Sequence, residues 1–145
     1  TSLTKEALPI IRYRTRDLTR LLPPTSRAMR RMGKINGRSD DMLIIRGVNV
    51  FPSQIEELIL KMPELAPHYQ LQVSRDGHLD KLDVLGELSD ASLPAEAVTA
   101  LCRDLERRIK TVVGVSTRVT LAQPEGIERT MTGKARRVID KRPKT

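Results

Sequence analysis

The chain has 145 residues, enough for one domain or for one domain with an appended piece. Its 26 basic and 18 acidic side chains leave a net charge of +8, which suits an anionic partner: nucleotide phosphates, nucleic acid or an acidic protein surface. No run of about 20 apolar residues offers a membrane span, two histidines and one cysteine do not build the usual zinc site, and no charged-then-apolar signal segment opens the chain. Aromatic content is 2%, namely Tyr13, Phe51 and Tyr69, which argues against single-stranded nucleic-acid binding by stacking. The lone Cys102 excludes an internal disulfide and fits a reducing cytoplasm.

Residues 1–39 read as short strands and turns. Pro9 to Arg14 is strand-like, with Asp17 to Leu22 a partner, and Pro23-Pro24 ends the pair. Ser26 to Lys34 is a basic loop, and Gly33 to Gly37 a further short strand. This piece holds too few apolar residues for a core of its own and is expected to pair with something outside the sequence.

Residues 41–123 are better patterned. Met42 to Ile45 is a continuous apolar run, expected as a buried strand. A helix follows, with Ser53 and Glu56 as its capping box and Ile55, Leu58, Ile59 and Met62 as its apolar stripe; Pro63 stops it. Tyr69, Leu71 and Val73 alternate with polar residues in a strand, Asp76-Gly77 turns the chain, and Leu82, Val84, Gly86 and Leu88 share one face on the return. A longer helix runs from about Pro94 to Val113 with the stripe Val98, Leu101, Leu105, Ile109 and Val112, and Gly114 ends it. Val115, Thr117, Val119 and Leu121 alternate in a last strand. The order is β-α-β-β-α-β, so the expected class is α+β with a ferredoxin-like arrangement. Residues 124–145 lose apolar period, carry many Arg and Lys, and are expected to be mobile.

Three motifs carry chemistry. In Arg12-Tyr13-Arg14-Thr15-Arg16-Asp17 a carboxylate just past a strand end can accept two hydrogen bonds from a vicinal diol, as on the ribose of ATP; alone, it reads as a solvated turn residue. In the stretch from Gly37 to Glu57, Arg38 offers a planar donor fork for phosphate or ribose oxygens. Taken singly, Arg38 and Asp40 read as a surface ion pair worth about 0–1 kcal/mol. Gly126 to Arg137 contains Gly133-Lys134, but the phosphate-loop spacing fails, because Glu128 stands where a glycine belongs and Ala135 replaces Ser or Thr.

Together and in this order, the motifs resemble those of the adenylate-forming acyl-CoA ligases: Tyr-x-Thr-Gly-Asp, then Gly-Arg-x-Asp-Asp with a following Gly, Pro and Glu, then Gly-Lys-x-x-Arg. Arg16 stands where Gly is commoner, which resembles the phenylacetate–CoA ligase branch. The resemblance implies that Asp17 holds the ribose hydroxyls and Arg38 contacts the nucleotide. It makes Asp40 the hinge between two domains, Gly47 the point where the pantetheine arm of CoA passes the backbone, and Lys134 the catalytic residue of the first half-reaction only. It assigns residues 1–39 to the end of a large adenylating domain and residues 40–145 to a C-terminal lid, in a piece cut from a longer protein. ATP, Mg2+ and coenzyme A are the implied cofactors, and an aryl acid the implied substrate. No residue here is expected to bind a metal. The missing N-terminal domain is the implied partner, with no membrane; a homodimer is compatible. The isolated chain is expected to be inactive. Two rivals stand beside this reading: another adenylate-forming ligase, and a basic nucleic-acid-binding module, against which stands the absent RNA-binding sheet motif.

Overall fold

The computed structural model describes residues 4, 7, 10–26, 28–35, 37–128 and 137–143. The chain divides into two compact units, Thr1–Asp41 and Met42–Thr145.

The first unit is two short antiparallel ladders. Strand β1 (Asp17–Leu18) pairs with β4 (Gly37–Arg38), and β2 (Leu21–Leu22) pairs with β3 (Arg31–Met32). Among its described residues no hydrophobic side chain is buried, in keeping with a sequence too poor in apolar residues for a core. Two expectations need correction. Residues 10–14 form no strand and are exposed, and the basic loop contains β3. Backbone bonding decides the second case: Gly33 N donates to Arg20 O at 2.8 Å, and Thr19 Oγ1 donates to Gly33 O at 2.8 Å, which closes the ladder from outside.

The second unit opens with a hairpin of β5 (Leu43–Ile45) and β6 (Val48–Val50). Helix α1 (Pro52–Leu60), the long hairpin β7 (Leu65–Asp76) and β8 (Leu79–Leu88), helix α2 (Ala95–Val113), β9 (Arg118–Ala122) and β10 (Val138–Asp140) follow. One four-stranded sheet has the order β10-β7-β8-β9, antiparallel between β7 and β8 and parallel at both outer pairs. Helix α1 packs on β7, α2 packs on β9, and the helices touch each other. Their stripes (Ile55, Leu58, Ile59; Leu105, Ile109, Val113) meet Leu71, Val73, Leu82 and Val84 in a single core. Burial of such side chains contributes about 1.5–3 kcal/mol each, which is what holds the two helices to the sheet.

The α+β order expected from the sequence stands, with local exchanges. The run Met42–Ile45 enters the β5–β6 hairpin, so Ile45 is buried while Ile44 is 53% exposed. The sheet edge beside β7 is taken by β10, from the tail expected to be mobile. In α2 the stripe ends on Val113, not Val112, because steps of four from Leu105 and Ile109 lead there. The cap of α1 also differs. Pro52 opens the helix and Phe51 precedes it; Gln54 Oε1, not Glu56, accepts the Phe51 amide at 3.1 Å.

Candidate functional site

The first cluster sits on the β1–β4 pair. Asp17 and Arg38 are Cα partners in its register. Arg38 Nη2 donates to Asp40 Oδ2 at 2.9 Å, Arg38 Nε stands 4.0 Å from Asp17 Oδ1, and Arg16 Nη1 lies 3.6 Å from Asp40 Oδ2. Three residues singled out by sequence, Asp17, Arg38 and Asp40, therefore converge on one half-exposed surface. Arg38 Nε is shielded from solvent and has no hydrogen-bond partner among the described residues. The backbone fixes the group: Ser39 N donates to Arg16 O at 2.8 Å and Asp41 N to Arg38 O at 3.2 Å.

Arg16 explains its own oddity. Its φ is +65°, in the left-handed region. Glycine adopts that region freely, whereas another residue is strained there by roughly 1–2 kcal/mol. The turn geometry thus matches the commoner Gly, and Arg16 fills the same conformation while its side chain approaches Asp40.

Gly47 belongs to the second unit. It forms, with Arg46, the two-residue turn between β5 and β6; φ is +50° at Arg46 and +80° at Gly47, the type I′ pattern. The sequence reading gave Gly47 a role in ligand passage only, yet the turn alone demands a left-handed residue. A Cβ built there meets nothing within 4 Å, so the space in front of it is open. Arg46, which the motifs did not single out, secures the turn by donating to Asp80 O at 2.8 Å and Ser116 O at 3.2 Å. The signal for it was the Arg-Gly pair between two apolar runs. Arg142 acts nearby: Nη1 donates to Ile44 O at 3.1 Å and Asp80 Oδ2 at 3.0 Å, and Nη2 lies 2.6 Å from Asp140 Oδ2. Hydrogen bonds from Arg75 and Arg142 hold the Asp80 carboxyl below its usual range.

Lys134 lies outside the described residues. The residue that follows that segment, Arg137, is described. It ion-pairs with Glu56 at 2.6 Å and lies over the Tyr69 ring at 5.2 Å. The sequence reading had Glu56 capping α1; with Gln54 in that position, Glu56 is available to Arg137. Burial first, then the Glu56 charge, push the Tyr69 hydroxyl up to about 12. Among the described residues no group of three or more His, Cys, Asp or Glu could hold a metal ion, and no helix is long and apolar enough to cross a membrane.

Comparison with known proteins adds the family. The family described as AMP-binding enzyme C-terminal domain matches residues 47–142. The phenylacetate-coenzyme A ligase of Aromatoleum evansii is 60% identical over 99% of the chain and 33% of its own length. The chain spans about a third of the length of the curated relatives it matches. The crystal structure of a domain of phenylacetate-coenzyme A ligase from Bacteroides vulgatus superposes with a TM-score of 0.67 at 33% identity, covering 73% of this chain and 97% of that one. A 2-hydroxyisobutyryl-CoA ligase, solved with 2-HIB-AMP and CoA in the thioesterification state, gives 0.65 at 36% identity over 73% of this chain and 22% of that one. With a matched family over residues 47–142 and a fold shared with acid–CoA ligases, the chain belongs to the C-terminal domain family of the AMP-binding, adenylate-forming enzymes.

Proposed function

We propose that this chain is the C-terminal part of an ATP-dependent acid–CoA ligase acting on phenylacetate. The substrate carboxylate attacks the α-phosphorus of ATP, giving acyl-adenylate and pyrophosphate. The CoA thiol then attacks the acyl carbonyl, forming the thioester and expelling AMP. Residues 1–39 end the large adenylating domain, residues 40–145 are the lid, and Asp40 is the pivot between the two steps.

The observation that carries this reading is the meeting of Asp17 and Arg38, from separate motifs, as cross-strand partners. A carboxylate that accepts from a ribose diol and a guanidinium that donates to the nucleotide belong side by side. The 60% identity to a phenylacetate-coenzyme A ligase supports the substrate class. Gly47, on an open turn, borders the CoA arm. Lys134 stabilises charge developing on the reacting oxygens of the first step. Mg2+ arrives with the phosphates of ATP, since hard cations take oxygen ligands from nucleotides. The cytoplasm, where ATP and CoA are supplied, is the working compartment, and a homodimer is the assembly that sedimentation of the full-length protein would test.

The test is Lys134→Ala in the full-length ligase. Adenylate formation should fall about 10²–10³-fold, the usual cost of removing one preorganised donor. Thioester formation from supplied acyl-adenylate should persist. Equal loss in both half-reactions would remove Lys134 from the mechanism, and indifference to phenylacetate among a panel of acids would remove the substrate.

A further inference from the structure

We propose that Arg46 and Arg142, meeting at Asp80, are positioning residues that fix the Gly47 turn for thioester formation. The inference rests on the reading of Gly47 given above, as the point where the CoA arm passes, and assigns side chains that reading does not use.

The first sign is a residue that the turn alone does not favour. A type I′ turn needs positive φ at both central residues and is commonest with Asn-Gly or Asp-Gly. In this turn Arg46 holds φ at +50° beside Gly47. A long side chain is strained in that region, and such strain persists only where the surroundings over-determine the conformation. They do so through the guanidinium: Arg46 Nε donates to Asp80 O at 2.8 Å, and Nη2 donates to Ser116 O at 3.2 Å. The turn is thereby tied to the start of β8 and to the segment that leads into β9.

A second guanidinium ties the strand that enters the turn. Arg142 Nη1 donates to Ile44 O at 3.1 Å and to Asp80 Oδ2 at 3.0 Å. Arg75 Nε steadies the same carboxylate from its other oxygen, Oδ1, at 2.8 Å. Ile44 and Arg46, on either side of the buried Ile45, are therefore both held to Asp80, one through Arg142 and one directly. Apolar packing stops short of the tip. Ile45 and Val50 are buried, but Arg46 and Gly47 are exposed, and the space in front of Gly47 is open. The plain alternative is a surface ion-pair cluster that adds a little stability and nothing more. The two differ in consequence: losing a positioning network should impair one half-reaction and spare the other.

The experiment uses the full-length ligase with Arg46→Asn, Arg142→Gln and the double variant. Adenylate formation is read by phenylacetate-dependent pyrophosphate exchange, and thioester formation from supplied acyl-adenylate with CoA varied. Asparagine suits the turn at least as well as arginine, so a loss in Arg46→Asn is a loss of the tether. Each single variant should lower kcat/KM for CoA about 10–100-fold, as small misplacements near a reacting group do. Adenylate formation should stay within about twofold of the parent, which also reports that the lid is folded. The double should lose less than the product of the two singles, because both act on one turn. Arg142→Lys, which keeps the charge but not the planar fork, should lie between parent and Arg142→Gln. The network is overturned if kcat/KM for CoA holds in either single, if both half-reactions fall equally, or if the two losses multiply. Gly47→Asn run in parallel separates the two ideas. If it slows thioester formation and the network variants do not, the network alone fails. If it leaves thioester formation normal, the reading of Gly47 fails and the network's role with it.

Discussion

Asp17 and Arg38 face each other across the β1–β4 ladder, with Arg38 Nε 4.0 Å from Asp17 Oδ1. That distance is too long for a hydrogen bond and short enough for mutual attraction. The pair therefore holds its shape while the carboxylate can still accept from a third group.

The first prediction follows from that geometry. In the full-length ligase, Asp17→Asn should raise the KM for ATP about tenfold or more, since hydrogen bonds to charged groups contribute about 1.5–3 kcal/mol. It should also abolish discrimination between ATP and 2′-deoxy-ATP. Steady-state kinetics with both nucleotides is the check, and unchanged discrimination would take the ribose away from Asp17.

Asp40 accepts from Arg38 at 2.9 Å and approaches Arg16, so its side chain and its backbone can be tested apart. Asp40→Pro should slow thioester formation and spare adenylate formation, by freezing φ at the pivot. Asp40→Asn keeps the backbone and a hydrogen-bond acceptor, and should leave the ratio of the two half-reactions near that of the parent. A larger change in the ratio for Asn than for Pro would make the charge, not the rotation, the working feature.

Gly47 separates turn from passage in the same manner. Gly47→Val should destabilise the second unit by roughly 1–2 kcal/mol, because φ is +80° there. Gly47→Asn is better tolerated in that conformation and, with open space in front of the Cβ, should unfold at nearly the parent temperature. It should nevertheless slow thioester formation selectively. Normal thioesterification by a stable Gly47→Asn variant would leave the glycine with its turn alone.

Tyr69 gives the pH dependence. Its hydroxyl is pushed up to about 12, by burial first and by Glu56 second, against Arg137. A group with a raised folded value stabilises fully below its unfolded value, near 10, and loses that contribution as pH rises through the window to 12. The loss should reach about 2 kcal/mol. Tyr69→Phe should flatten this alkaline slope in urea denaturation at pH 8 to 11.5, and identical slopes in both proteins would refute the shift.

Much of the second unit was legible in the sequence. The α1 stripe Ile55, Leu58, Ile59 and Met62 is buried as its spacing implies, and β7 and β8 alternate as expected. Such signals are local, because a period of 3.6 or 2 needs only nearby residues. What stayed hidden depends on distant partners. Val138–Asp140 has too short an apolar run to announce β10; it becomes a strand because β7 offers an unpaired edge. Glu56 looked like a cap because Ser53 stood three residues ahead, while the helix in fact starts two residues earlier than that pattern requires. The site divides the same way. Asp17, Arg38 and Asp40 were readable from motif order, and their convergence was not, since a two-residue ladder leaves no periodic trace. The partnership of Glu56 with Arg137 spans most of the unit and lies beyond any local pattern.

The seat of β10 has a consequence for how this unit assembles. The β7–β8 hairpin closes through neighbouring residues, whereas Val138 must find Leu71 across the intervening helix and strands. Closing so long a loop is slow relative to a hairpin, so the edge of β7 stays bare until late in folding. A nascent or truncated chain ending before Val138 would present Leu71–Val73 as an open template for another chain's strand, the usual start of edge-to-edge aggregation. The last strand in chain order thus doubles as the cover of the sheet, guarding the folding molecule against its own copies.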